Sequence, residues 1–187
     1  MRLAVVLLGK RESWHDSLIE IIKEVAEAAI NFYYENVEVD LKFLIPEPDL
    51  LDRERGQMDA EKVVSFISRH PSLRDYGIKI AFTNEDLFYD GLSFVFGIAS
   101  RAEGVAVVSL FRLSRDYMLR EFVPRHLLKE RLFKETLHEL GHLNGLSHCS
   151  NPSCVMSRSP TTVEVDEKLP MLCDECMEKL RREKRSS

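Results

Sequence analysis

Read for the spacing of apolar and polar positions, the chain breaks into strands alternating with helices. Leu3–Leu8 is apolar without alternation, the pattern of a strand buried on both faces. Ser13 and Asp16 have capping-box spacing and open a predicted helix that runs to about Tyr33. In it Leu18, Ile22, Val25, Ala29 and Phe32 recur at helical spacing, which predicts one face packed on a sheet. Val37–Leu44 alternates. Val37, Val39, Leu41 and Phe43 lie on one side and Glu38, Asp40 and Lys42 on the other, so a half-buried strand is expected.

Pro46, Pro48 and Gly56 mark a long polar loop, followed by a short helix over Asp59–Arg69 that stops before Pro71. Gly77–Thr83 reads as a third strand and Asn84–Ser93 as a loop. Phe94–Ala99 and Val105–Leu110, joined by residues 100–104, read as a hairpin. A long helix is predicted from Pro124 to Asn144, with proline at its first position and Gly145 just past its end. Beyond Gly145 the texture changes. Residues 145–187 are rich in Cys, Ser and Pro, poor in large apolar residues, and end in a charged helix expected to fray. Such a segment has no core of its own and needs a staple. The whole reads as an α/β fold followed by a small irregular lobe.

Composition narrows the class. With 187 residues, 44% hydrophobic and 30% charged, the chain suits one globular domain with a real core. The net charge of -5 speaks against general nucleic-acid binding. The apolar run at the N-terminus is too short to span a membrane and lacks a cleavage site for export. A cytoplasmic protein without membrane association is therefore expected. In a reducing compartment the four cysteines, Cys149, Cys154, Cys173 and Cys176, all near the C-terminus, point to metal; two small disulfides are the reading for an exported chain.

The chemistry is concentrated in one string, His138-Glu139-Leu140-Gly141-His142-Leu143-Asn144-Gly145-Leu146-Ser147-His148. On a helix His138 and His142 share a face one turn apart and can hold one zinc. Glu139 stands about 100° around the same helix, placed to act as general base on water. Gly145 can take a left-handed conformation, end the helix and bring His148 back as third ligand. Three neutral histidines leave zinc its full charge and one open position, a strong Lewis acid suited to amide hydrolysis. His15, His70 and His126 lack ligand spacing and read as ordinary surface or helix-end residues.

The cysteines form two short-loop pairs, Cys149 with Cys154 and Cys173 with Cys176, which together make a closed four-thiolate site for a structural zinc. Since Cys149 follows His148 directly, that zinc also braces the backbone carrying the third histidine.

The extended histidine string resembles the metzincin clan of zinc peptidases. Together with Cys149, Cys154 and the terminal Cys173-Asp174-Glu175-Cys176 it resembles the archaemetzincin family. That resemblance implies a metzincin-like α/β fold, with a twisted mixed sheet packed on the active-site helix and a small zinc-stapled lobe below. One catalytic domain would span 1–187, divided into an upper subdomain (1–144) and a lower one (145–187). It implies His138, His142 and His148 as ligands of a catalytic zinc, Glu139 as catalytic base, and Met156 as the methionine turn. The four cysteines would hold a second zinc. Peptides or proteins would be the substrates.

Some metzincins carry a tyrosine two residues past the turn methionine; Arg158 stands there instead. The chain opens onto its first strand with no cysteine before Cys149, so no cysteine-switch latency is expected. An always-active peptidase then implies a narrow substrate range or restricted access. Two rival readings are a zinc-binding module of peptidase shape without turnover, and a nucleic-acid binder using Arg181, Arg182, Lys184 and Arg185.

Overall fold

The structure is a computed structural model that describes residues 1–116 and 119–186. In chain order its elements are β1 (Arg2–Leu8), α1 (Asp16–Tyr33), β2 (Glu38–Leu44), β3 (Leu51–Asp52), β4 (Gln57–Asp59), α2 (Ala60–Arg69), β5 (Ile78–Thr83), β6 (Leu87–Tyr89), β7 (Leu92–Val95), β8 (Gly97–Ser100), β9 (Val105–Ser109), α3 (Leu110–Leu113), β10 (Arg115–Asp116), β11 (Glu121–Phe122), α4 (Arg125–Leu143), α5 (Thr162–Glu167) and α6 (Asp174–Ser186).

The main sheet has the order β2-β1-β5-β9-β8. Four strands run parallel, and β8 is an antiparallel edge on β9. The apolar run of β1 is explained by its two neighbours and two covered faces. Leu3, Val5 and Leu7 enter the core shared with α1 and α4, while Ala4, Val6 and Leu8 enter the core beneath α2. The same alternation divides Val105 and Val107 from Ala106 and Val108 in β9. A mixed α/β sandwich results, with the long helix α4 against the sheet beside its free edge.

Several local expectations are corrected. The Ser13–Asp16 capping box does not form: Ser13 Oγ donates back to Lys10 O within a short helical turn, and His15 takes the N-cap position without a side-chain bond. Residues 84–93 are not simply loop. They contain β6 and much of β7, a hairpin about Asp90-Gly91 in a second sheet of order β3-β4-β6-β7. The predicted strand Phe94–Ala99 divides at Phe96, with Leu92–Val95 in the second sheet and Gly97–Ser100 in the main one. A hydrophobic run carries no mark of which sheet it joins. Pro124 is the N-cap of α4 rather than its first helical residue.

The C-terminal segment also departs from expectation. Val155, Met156, Val165, Leu172 and Leu180 join the main core instead of lacking one. The charged terminal helix is docked: Lys184 Nζ donates to Tyr33 O at the open end of α1, and Glu183 pairs with Arg101 at 2.9 Å. The true capping box lies at α5, where Thr161 and Glu164 bond reciprocally. Among the described residues no helix is long and apolar enough to cross a membrane.

Candidate active site

Helix α4 is buried along most of its second half, and its sequence places His138, His142 and Glu139 toward the sheet edge and the C-terminal lobe. His138 Nδ1 lies 2.8 Å from Val155 O, and His142 Nδ1 lies 2.8 Å from Leu146 O. A carbonyl only accepts, so both Nδ1 atoms carry the proton and both Nε2 atoms present lone pairs. Those two Nε2 atoms are 3.0 Å apart. Facing lone pairs repel unless a cation lies between them. Two nitrogens each bonded to one tetrahedral zinc stand about 3.3 Å apart, so the pair is spaced for a shared metal.

The helix ends as its sequence requires. Gly145 has φ +85°, and the N–H of Leu146 donates to Gly141 O. A side chain on Gly145 would run into Arg101 and Glu183 as well as strain the backbone. Past this turn His148 returns to the others, and one ligand atom from each of the three histidines lies within 4.8 Å of the rest. Arg158 Nε donates to His148 Nδ1 at 3.1 Å, which in a neutral ring leaves the proton on Nε2, so this bond must open before His148 Nε2 can ligate a metal.

Burial holds all three imidazoles below their ordinary pKa. It is the largest cause in each case, with Lys168 and His142 adding repulsion at His138, and His142, Arg158 and Lys168 adding it at His148, whose value falls to about 4. The rings are thus neutral near pH 7, the form that ligates metal. Glu139, only 4% exposed, is pushed well above the usual carboxylate range by burial, helped by nearby Glu135 and opposed by Lys168.

Met156 lies fully buried, its sulfur against Gly141 on the active-site helix. Its carbonyl accepts from the N–H of Cys149 at 2.9 Å, so the turn is bonded to the residue directly after His148. The four cysteines converge next to it, with their sulfurs within 4.8 Å of one another. Cys149 and Cys173 sulfurs stand 3.7 Å apart. Two thiolates on one tetrahedral zinc stand about 3.8 Å apart. Backbone N–H groups of Asn151 and Cys173 point at Cys149 and Cys154. Burial raises the Cys154 and Cys176 thiols, whereas a backbone N–H from Cys176 lowers Cys173. Buried thiols of this kind need a cation to ionise, and a metal at their centre would supply it.

The family model for peptidase family M54 matches residues 2–182. The chain belongs to this family. It is 46% identical over 141 residues to the archaemetzincin of Aeropyrum pernix, covering 73% of this chain and 72% of that one. It is 40% identical over 159 residues to the archaemetzincin of Haloquadratum walsbyi, covering 83% and 89%. Among solved structures, the archaemetzincin of Methanopyrus kandleri superposes with a TM-score of 0.84 at 34% identity, over 99% of this chain and 96% of that one. As an archaemetzincin the chain is a zinc metallopeptidase, and peptides or proteins are its substrate class.

Within this archaemetzincin fold, His138, His142 and His148 come together in one cluster and Cys149, Cys154, Cys173 and Cys176 in another, while Met156 lies against Gly141 and Glu139 against Gly97. His15, His70 and His126 do not join either. Sequence reasoning missed the supports. Lys168, fully buried, pairs with Glu135 at 2.6 Å just behind the histidines. Arg131 binds Asp166 through two nitrogens at 2.7 and 2.6 Å, and Lys134 donates to Asp166 O, so α5 is tied along α4. From there Leu169 N–H bonds Ser153 O and Val155 N–H bonds Met171 O, which steadies the very carbonyl that orients His138. Glu135 four residues before Glu139 was the available signal, but its partner is 33 residues away.

Proposed function

We propose that this chain hydrolyses peptide bonds with a zinc held by His138, His142 and His148 and with Glu139 as general base. The observation that carries the reading is the pair of Nε2 atoms 3.0 Å apart, each ring held by a backbone carbonyl on its other nitrogen. A zinc ion there supplies the Lewis acidity that acidifies water and polarises a peptide carbonyl. Glu139 takes the proton from the attacking water and passes it to the leaving nitrogen. Its burial, which disfavours the charge, makes it a stronger base than a surface carboxylate. Met156 forms the floor as the methionine turn of a metzincin, and Cys149, Cys154, Cys173 and Cys176 hold a second, structural zinc.

On this reading one domain spans the chain, with the substrate cleft between an upper part (1–144) and a lower part (145–187). The substrate pairs as an added strand with β8. The bond from Ser109 N–H to Phe96 O marks those residues as a hydrogen-bonded pair, and the register continues with Gly97 opposite Val108 and Ile98 opposite Val107. Alternation then leaves the N–H and C=O groups of Gly97 and Ala99 on the free edge. An edge of this length recognises few residues, which supports a narrow substrate range. Four free cysteines around a metal-sized centre support a reducing, cytoplasmic setting. The net charge of -5 speaks against a nucleic-acid role for the basic residues Arg181, Arg182, Lys184 and Arg185.

The test is cleavage of a proteome-derived peptide library by the wild-type protein and by Glu139→Ala, with zinc measured in both. The variant is expected to keep both metals and to lose turnover by roughly 10²–10⁴. Wild-type protein that carries its zinc and cleaves nothing would favour the module without turnover. Hydrolysis surviving in the variant would remove Glu139 as base.

A further inference from the structure

Glu139 is held in an unusual way. Among the described residues no hydrogen bond or ion pair reaches its carboxylate, although the side chain is buried. Its protein contacts are packing contacts, and one of the surfaces it packs against is the α-carbon of Gly97. A Cβ built on Gly97 would stand 2.6 Å from Glu139 Oε1, 2.8 Å from Glu139 Cγ and 2.8 Å from Val107 O. Non-bonded carbon contacts settle at about 3.5–4.0 Å, so a methyl there and the present carboxylate exclude each other. Gly97 is also the first residue of the edge strand β8, and its own N–H and C=O lie on the free edge by the register given above.

We propose that Gly97 is a positioning residue for hydrolysis: its bare α-carbon sets where the Glu139 carboxylate stands relative to a peptide paired with β8. The proposal rests on the reading of Glu139 as general base and of β8 as the substrate edge. One residue then registers both partners of the proton transfer. Its backbone groups place the peptide and its missing side chain places the base. No other residue type serves, because any Cβ occupies the carboxylate's space and displaces it. A misplacement of about 1 Å can cost on the order of 10² in rate.

The experiment uses zinc-loaded wild type, Gly97→Ala, Glu139→Ala and the double variant. Gly97→Ala is expected to retain both zincs, to lower kcat by about 10²-fold and to leave KM within about threefold. Displacement of the base acts on the chemical step and not on peptide pairing. Val107 O offers a competing cause, since the added methyl also meets the neighbouring strand. Thermal melting separates the two. If Glu139 is the partner, Gly97→Ala lowers Tm in the wild-type background and leaves it unchanged or raised in the Glu139→Ala background. A Gly97→Ala protein that fails to fold while the double variant folds supports the proposal equally. Equal Tm losses in both backgrounds would overturn it, as would wild-type kcat in Gly97→Ala, loss of zinc from the histidine site, or failure of both the single Gly97→Ala variant and the double variant to fold. Hydrolysis surviving in Glu139→Ala alone refutes the general-base reading instead, while the melting comparison still reports the steric coupling.

Discussion

The sulfur of Met156 rests on the bare α-carbon of Gly141, in the space that a Cβ at that position would fill. The same Cβ would stand 2.9 Å from Met156 Cε and 3.0 Å from the Tyr33 hydroxyl, which is itself bonded to Leu137 O. Gly141 thus sits between the two histidines of α4 because the turn beneath must approach the helix closely. Gly141→Ala gains helix propensity of about 1 kcal/mol but overpacks a buried site, at about 1–3 kcal/mol. We expect net destabilisation in urea melts, smaller when Gly141→Ala is combined with Met156→Ala. A Gly141→Ala protein more stable than wild type would show that the contact is not limiting.

The Glu135–Lys168 pair is buried on both sides. Removing one partner strands the other charge, which typically costs about 3–5 kcal/mol. Lys168→Met should therefore lower stability by that order, and a Lys168→Met, Glu135→Leu double variant should recover most of it. Urea midpoints of the three proteins are the measurement. Equal midpoints for wild type and Lys168→Met would mean that water reaches the carboxylate.

Two zinc ions of unequal lability are expected. The histidine site has an open position and an exposed third ligand in His148, whereas the cysteine site is closed and includes the buried Cys154 and Cys176. A chelator should remove the first zinc with the fold intact, and Cys173→Ser should remove the second and lower Tm sharply. One zinc per wild-type chain, or a normal melt for Cys173→Ser, would refute the two-site arrangement.

Strand addition predicts opposite results at adjacent residues of β8. Ala99→Pro gives up an N–H on the free edge, so it should fold and raise KM. Ile98→Pro gives up an N–H facing Val107, so it should disrupt the hairpin. Unchanged kinetics in a folded Ala99→Pro protein would point to a closed pocket for a short peptide end.

The metal-free protein should lose stability in acid. His148 has a folded pKa of about 4, below the ordinary histidine value of about 6.5. The unfolded chain therefore binds more protons between those values, and stability falls as pH drops from about 6.5 to about 4. His138 and His142 are shifted in the same direction. Chelator-treated protein followed by denaturant midpoint across this range checks the sign. A flat profile would place the rings in water.

Much of the proposed site was legible before folding because its candidate ligands are local. His138 and His142 are one helical turn apart, and Gly145 turns the chain toward His148 within six residues of His142. The buried strand β1 was legible too, since it is covered on both faces and reads as an apolar run. The β7–β8 division at Phe96 was not legible, because an apolar run does not name its sheet. The docking of α6 was hidden in the same way, since Lys184 finds its acceptor 151 residues away at Tyr33.

By itself, then, the sequence singled out the side chains proposed to carry the chemistry: a helical period and a glycine turn are short-range properties, written in neighbouring residues. Tertiary structure alone decided how those side chains are held. Gly97 meets Glu139, Met156 meets Gly141 and Lys168 meets Glu135 only after the sheet edge, α4 and the C-terminal segment have packed together. Such contacts depend on close packing between distant segments, where a single methyl group matters, and no spacing along the chain records them.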